Sequence, residues 1–380
     1  MIYFDNAATS YPKPKEVYKK MDAFYKSTGV NASRGSYDKS IEASNLIDNT
    51  RKNLLELFNC NNKEVIFTPS ATLAINMILK GKNWKENDII LFSPFEHNAV
   101  LRTLYWLQKN FNIQLKKIPF EKNSFELKEN EYEDMIKKYN PKMIITTQVS
   151  NVIGLILPIK NMANIAKKYN TDILVDGAQG AGVIDIDLSD VDYYIWAGHK
   201  SLFGPFGISG IIAEKRNLDF EPLILGGTGV NSKSKNMPDE IPDKFEAGSN
   251  NIHAISGLNA SLKWIDKIGK NEIFLHEKKL TKKLIDIFND YIDIQTYLPK
   301  NLGNHFNVVS ISVSNYTPNE IGKILNEKFD IAVRTGLHCA PLAHELLGTL
   351  PYGLVRFSLG YFNKNEDLEY LNKCLDKFLL

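Results

Sequence analysis

Cysteine is scarce: only Cys60, Cys339 and Cys374 occur in 380 residues. Spacing this wide makes neither a disulfide framework nor the paired thiols of a zinc site. Unpaired thiols fit a reducing compartment, so the cytoplasm is the expected location. Charge of one sign is also lacking. Lys and Arg number 46 against 44 Asp and Glu, for a formal net charge of +2. The lysines are spread along helix-like stretches such as "EKKLTKKL", which excludes a concentrated basic face and argues against a nucleic-acid partner. No apolar run approaches the ~20 residues that a membrane helix needs. The opening "MIYFDNAATSYPKPKEV" does not have the basic-then-apolar layout of a secretory signal. No cluster of His, Cys and carboxylates has ligand spacing, so no metal site is expected. Internal repeats and low-complexity tracts are absent too.

What is present reads as an ordinary globular protein, 43% hydrophobic and 24% charged, long enough for two domains. From Glu64 to Ala213, short β-branched runs ("EVIFT", "DIILFS", "KMIITT", "DILVD", "VDYYIWA") alternate with helix-like segments at 99–110, 131–139 and 160–169. Runs so continuously apolar suit strands covered on both faces, and the alternation predicts a mainly parallel sheet flanked by helices. Several runs end in polar residues (Thr68, Ser93, Thr147, Asp176), where ligands bind in open α/β sheets. The stretch 214–252 is rich in Gly, Ser, Asn and Pro and reads as loop. After a helix at 253–268, the layout changes to helix 271–290, strand "NVVSISV", helix 318–328, short strand "IAVR", a loop around Cys339, strand "GLVRFSL" and helix 365–379. The expected organisation is a large α/β domain over 15–255 and a smaller α+β domain over 256–380 with 1–14.

Four positions in the large domain carry chemistry. Lys200 follows an apolar, aromatic strand in "IWAGHKSLFGPFG". Most lysines are solvated, but burial at a strand end lowers the pKa and frees an amine able to condense with an aldehyde. Asp176 ends the strand in "DILVDGAQG". It is either a turn former or a carboxylate set to hold a protonated ring nitrogen. In "FTPSATLAIN", Thr72 lies in the first turn of a helix, which serves as a plain cap or as a phosphate cradle. His97 opens a helix in "FEHNAV", as a half-buried histidine or as a plane stacked on a ring. In the small domain, "RTGLHCAP" sets Cys339 on a Gly-containing loop beside His338. A free cysteine is usually a small buried hydrophobe, but this loop suits a mobile, activated thiol. Cys60 and Cys374 fall in helix-like segments and read as structural.

Taken in order, "DNAATS", "SNVIG", "VDGAQ", "GHKSLFGPFG", "FEAGS" and "RTGLHCA" resemble the cysteine desulfurase and selenocysteine lyase branch of the class V aminotransferases, which are fold-type I pyridoxal-phosphate enzymes. The resemblance runs from "YFDNAATS" to "VRFSLGYFN". It implies that Lys200 carries the cofactor covalently, that Asp176 binds the pyridine nitrogen and that Gln179 donates to the ring oxygen. His97 would stack on the ring, and Ala71, Thr72 and His199 would hold the phosphate. Asn151 would lie near the ring oxygen and the substrate carboxylate, which Arg356 would clamp. Ser249 would reach the phosphate of a second subunit, which implies a homodimer. Cys339 would attack the substrate sulfur.

Three positions depart from the branch. Ala197 stands where a phosphate-binding serine is common, and Ser33 and Tyr37 stand where histidines often do. "SATL" also replaces the usual Gly-Thr-Thr. The implied reaction turns L-cysteine into L-alanine and leaves a persulfide on Cys339 for an acceptor protein or a small thiol. The alternatives are a selenocysteine lyase acting on L-selenocysteine, a true aminotransferase releasing a keto acid, and a non-catalytic persulfide carrier.

Overall fold

The computed structural model describes residues 1–32, 35–230 and 233–379; Ser33 lies outside them. Its central feature is a seven-stranded sheet. The strands are β2 (Glu64–Thr68), β3 (Ile89–Phe92), β4 (Gln114–Lys117), β5 (Met143–Thr147), β6 (Asp172–Asp176), β7 (Tyr193–Ala197) and β8 (Ser209–Ala213), in the order β2-β8-β7-β6-β5-β3-β4. Only β8 runs antiparallel to its neighbours. The sheet is therefore mainly parallel, as expected.

Period-two alternation assigns the two faces. On β7, Tyr194 and Trp196 enter one core while Tyr193 and Ile195 enter the other. The second core is closed by α3 (Ala71–Gly81) and α4 (Asn98–Phe111), through Ile75, Ile78, Leu104 and Leu107. The first is closed by α2 (Asp38–Leu57), α6 (Ile159–Lys168) and α7 (Ile252–Ile268). Two further helices, α1 (Lys15–Thr28) and α5 (Glu129–Tyr139), complete this part. With both faces covered, apolar side chains suit both registers of the inner strands. β4 is the exception, an edge strand reading "QLKK" with no buried residue. Its polar pattern hid it from the sequence reading, and charge of this kind blunts an exposed edge.

A third core gathers Phe4 with residues of α8 (Lys270–Asn289), β10 (Val308–Val313), α9 (Pro318–Phe329), β13 (Leu354–Ser358) and α11 (Asn365–Leu379). Its antiparallel sheet runs β12-β13-β10-β9, with β9 at Ile294–Tyr297 and β12 at Arg334–Gly336. The chain start joins it, because β1 (Ile2–Tyr3) pairs in parallel with β11 (Ile331–Ala332). The expected division at 255/256 falls just past the first turn of α7, whose Ile255, Leu258, Leu262 and Ile265 belong to the first core. A short helix, α10 (Pro341–Leu347), follows the Cys339 loop. Cys374 lies in α11, but Cys60 sits three residues beyond the end of α2, buried in a turn rather than a helix.

Among the described residues, no helix is long and apolar enough to cross a membrane. No group of three or more His, Cys, Asp or Glu there could hold a metal ion.

Candidate active site

The carboxyl ends of β2, β5, β6 and β7 open onto a cavity of roughly 640 Å³, closed from the other side by the β12–α10 link. Ala71, Thr72, His97, Asn151 and Asp176 line it, as do Gln179, His199, Lys200, Cys339 and Arg356. Ten of the eleven residues singled out from sequence thus meet on one space. Ser249 does not. It lies exposed in a separate depression with Tyr25, Val30 and His253. Ala197 lines the cavity from the end of β7, and Tyr37 is exposed just before α2.

Lys200 stands three residues past β7, in a turn. Desolvation brings its amine from an ordinary 10.5 down to about 8, against the opposing pull of Asp176. The loop is gripped by the N-terminal segment. The His199 carbonyl accepts from Ser10 N, Thr9 Oγ1 and Lys13 Nζ, at 3.1, 2.9 and 2.6 Å. Ser10 Oγ adds a bond to the Lys200 carbonyl at 3.0 Å. Lys13 has only neutral partners there, and burial lowers its pKa to about 7. The sequence reading missed this grip, which is made by the last two residues of the "DNAATS" stretch and by Lys13 just after it.

Asp176 is buried, and its Oδ1 accepts from Ala178 N at 3.0 Å. The residue therefore shapes the turn and also lines the cavity. Gln179 spends one amide hydrogen on the Ala7 carbonyl at 2.9 Å. His97 caps α4, with Nδ1 accepting from Ala99 N at 3.0 Å. Burial, then the charge of Lys200, lowers its pKa, so the ring is neutral and bears its proton on Nε2. Ala71 and Thr72 open α3, whose cap is Ser70, so first-turn N–H groups point toward the cavity end. His199 stacks on Phe206 at 4.7 Å, and burial drives its pKa down to about 3. Its Nδ1 is buried without a partner, as is Nε of Arg356.

Beside His97, Glu96 is fully buried. Its Oε1 accepts from Ser93 Oγ and Thr147 N, while Oε2 has no partner. Desolvation raises its pKa to about 8, so it is protonated at neutral pH. Nothing in the local pattern of "FEHNAV" marks this carboxyl as buried.

Arg356, on β13, is 2% exposed. Nη2 donates to Asp5 Oδ1 at 2.8 Å and Nη1 to the Asn151 carbonyl at 3.1 Å. Asp5 also accepts from Arg334, so one carboxylate serves two guanidinium groups. The segment "FEAGS" is fixed by Glu246, which pairs with both terminal nitrogens of Arg51 and accepts from Phe67 N on β2.

Cys339 is the exposed cysteine of the three. The loop expected to be mobile is a four-residue link whose carbonyls are tied down. Asn151 Nδ2 donates to the His338 carbonyl at 2.7 Å, and Asn98 N to the Cys339 carbonyl at 2.6 Å. His338 and Cys339 both have positive φ, +49° and +57°. Such backbone costs about 1–2 kcal/mol per residue and persists only where neighbours over-determine it. Gly353 makes room for the turn: it has φ +77°, and a Cβ there would meet the Gly336 carbonyl oxygen at 2.1 Å.

The geometry offers a nucleophilic amine, a carboxylate, a neutral imidazole plane, an anion clamp and a thiol around one space. The model of the family described as Aminotransferase class-V matches residues 2–371. A probable cysteine desulfurase of Pyrococcus abyssi is 32% identical over 97% of this chain and 92% of its own. One of Methanothermobacter thermautotrophicus is 28% identical over 99% of this chain and 94% of its own. The solved apo structure of cysteine desulfurase from Thermococcus onnurineus superposes with a TM-score of 0.93 at 30% identity, covering 100% of this chain and 94% of that one.

Proposed function

The chain belongs to the class-V aminotransferase family, and on that premise we propose that it is a pyridoxal-phosphate-dependent cysteine desulfurase. It would convert L-cysteine to L-alanine and collect the sulfur as a persulfide on Cys339. The observation that carries this reading is the convergence of Lys200, Asp176, Arg356 and an exposed thiol on one cavity.

The cavity wall suits the cofactor. Its donor set combines an amine for the aldehyde, a carboxylate for the ring nitrogen and helix-start N–H groups for the phosphate. The partnerless buried Nδ1 of His199 lies in the same wall. In this reading Lys200 holds the aldehyde carbon, Asp176 the ring nitrogen, His97 the ring face, and Ala71, Thr72 and His199 the phosphate, with Gln179 and Asn151 at the ring edge. When bound, pyridoxal phosphate supplies the electron sink that lets a proton leave the α-carbon of the amino acid.

The chain's own residues do the rest. Arg356 binds the substrate carboxylate with the part of its fork that Asp5 leaves free. Lys200 Nζ, with its pKa brought to about 8, takes the α-proton near neutral pH and later returns one. The Cys339 thiolate attacks the substrate sulfur. An S–S bond forms, the Cβ–S bond breaks, and its electron pair stays with the three-carbon unit, which is protonated and leaves as alanine.

Three further features complete the proposal. The active unit is a homodimer in which Ser249 serves the partner's site. Its position outside the cavity and the exposed apolar run Leu223, Ile224, Leu225 on the preceding loop support that. The large domain covers 15–255 and the small domain 256–380 with 1–14, and the third core, of Phe4 with residues from Leu280 onward, supports a separate small domain. Three free cysteines support a reducing cytoplasm. The persulfide then passes to an acceptor protein or a small thiol. A non-catalytic carrier would have no use for the paired amine and carboxylate.

The test is direct. Cofactor-loaded protein is incubated with L-cysteine and, separately, with L-selenocysteine, and alanine, keto acid, sulfide and selenide are quantified. Alanine formed in step with Cys339 persulfide is the expected result. Keto acid in place of alanine would make the protein an aminotransferase, and turnover of selenocysteine alone would make it a lyase.

A further inference from the structure

Behind Cys339 lies a line of polar side chains that the proposed reaction leaves without a task. The His338 ring is buried and stacks on that of His344, with centroids 5.4 Å apart. His338 Nδ1 lies 3.3 Å from His344 Nε2, and His338 Nε2 lies 3.4 Å from the Arg334 carbonyl oxygen. At the far end, His344 Nδ1 lies 2.7 Å from Thr349 Oγ1. His344, on α10, is fully buried.

Burial lowers the pKa of His338 to about 2 and that of His344 to about 4, with the guanidinium groups of Arg356 and Arg334 adding to the effect on His338. Both rings are therefore neutral, and each carries one proton. A carbonyl oxygen only accepts, so His338 must present Nε2–H to Arg334. Its Nδ1 is then an acceptor, and His344 must present Nε2–H to it. His344 Nδ1 is left bare and takes the Thr349 hydroxyl proton. This direction satisfies every member. The reverse sets the bare Nε2 of His338 against the lone pairs of the Arg334 carbonyl.

We propose that His344 and Thr349 are positioning residues for Cys339: they fix the tautomer of His338 and thereby hold the left-handed turn from which the thiol faces the cavity. The turn needs such support, because His338 and Cys339 are consecutive non-glycine residues at positive φ. Asn151 and Asn98 tie its carbonyls, but nothing else described holds the His338 ring at both nitrogens. The inference rests on reading Cys339 as the sulfur acceptor.

The test uses the full-length, cofactor-loaded chain with Thr349→Val, Thr349→Ser, His344→Ala and His344→Gln. Three quantities are measured: the rate of Cys339 alkylation by iodoacetamide, located by peptide mass spectrometry; the tautomer of His338, from spectra of ¹⁵N-histidine-labelled protein; and persulfide formation from L-cysteine. Wild type should show one His338 tautomer with its proton on Nε2. Thr349→Val is nearly isosteric and should preserve the fold. It should mix the tautomers, shift the alkylation rate at least threefold and slow persulfide formation roughly tenfold, with cofactor affinity unchanged. Thr349→Ser should restore wild-type values, and so should His344→Gln, whose amide N–H takes the place of Nε2–H. His344→Ala should match Thr349→Val. An unaltered tautomer and alkylation rate in Thr349→Val would overturn the proposal. So would a wild-type His338 protonated on Nδ1. The tautomer and the alkylation rate are read without substrate, so a wild type that fails to desulfurate cysteine would refute the proposed function and leave these two readouts standing.

Discussion

Asp5 Oδ1 lies 2.8 Å from Arg356 Nη2, across 351 positions of sequence. The carboxylate aims the guanidinium fork and balances a charge that burial disfavours. Removing one member of such a pair leaves the other uncompensated. Asp5→Ala should cost on the order of 3 kcal/mol in denaturant unfolding and raise KM for L-cysteine roughly tenfold or more. Asp5→Asn should do less of both. A normal KM in a stably folded Asp5→Ala protein would remove Asp5 from the site.

The Lys200 amine is set to act near neutral pH. Covalent capture of pyridoxal phosphate by cofactor-free protein, trapped with borohydride, should rise with pH through a midpoint near 8. The sign follows from burial, which penalises the ammonium form and so lowers the pKa. A midpoint near 10.5 would contradict the desolvated setting. Lys200→Ala should trap no cofactor at all.

Cys339→Ser separates thiol from cofactor chemistry. The variant should still bind L-cysteine and change the cofactor's absorbance on doing so. It should form no persulfide, and alanine production should fall at least tenfold, equivalent to ~1.4 kcal/mol of transition-state stabilisation. Selenium leaves more readily than sulfur, so L-selenocysteine turnover should persist. Undiminished alanine from L-cysteine would return Cys339 to a structural role.

Glu96 gives a stability signature of its own. Its folded pKa is raised from 4.5 to about 8, so between those values the folded state holds a proton that the unfolded state lacks. Stability from this group is full below pH 4.5 and is lost as pH rises toward 8. Lys13 and Lys200, with lowered pKa values, act in the opposite sense, so the comparison must be with a variant. Glu96→Gln should gain on wild type by roughly 2–3 kcal/mol between pH 6 and 8. A constant difference in denaturation midpoints would show that Glu96 titrates normally.

If Ser249 serves the partner's site, two inactive chains should complement. Lys200→Ala mixed with Ser249→Asp should recover part of the activity once heterodimers form. Verified heterodimers without activity would confine each site to one chain.

The parallel sheet and five wall residues of the cavity, Lys200, Asp176, Thr72, His97 and Cys339, were legible because their signals are local; Ala71, Asn151, Gln179, His199 and Arg356 came only with the family resemblance. Lys200 and Asp176 each follow a β-branched run, and Thr72 and His97 each open a helix. Asp5, Lys13 and Glu96 were not legible, because their roles depend on partners far along the chain or on burial depth. Asp5 reads as one more surface acid until β1 is paired with β11. β4 escaped notice because an edge strand needs no apolar face. The anchoring of the Cys339 loop escaped notice too, since Gly336 signals freedom in a sequence while the ties on His338 and Cys339 just after it come from the distant Asn151 and Asn98.

The stretch from Phe4 to Lys13 is made early and satisfied late. Its partners are the His199 carbonyl, the strand at 331–332 and the strand holding Arg356. At about 5–20 residues per second, Asp5 emerges from the ribosome roughly 20–70 s before its guanidinium partner. Until then the arginine fork has no fixed geometry, whereas the Lys200 loop can be gripped as soon as residue 200 is made. A nascent chain can therefore form its seven-stranded sheet and grip the Lys200 loop while Asp5 still lacks Arg356, its partner 351 positions away.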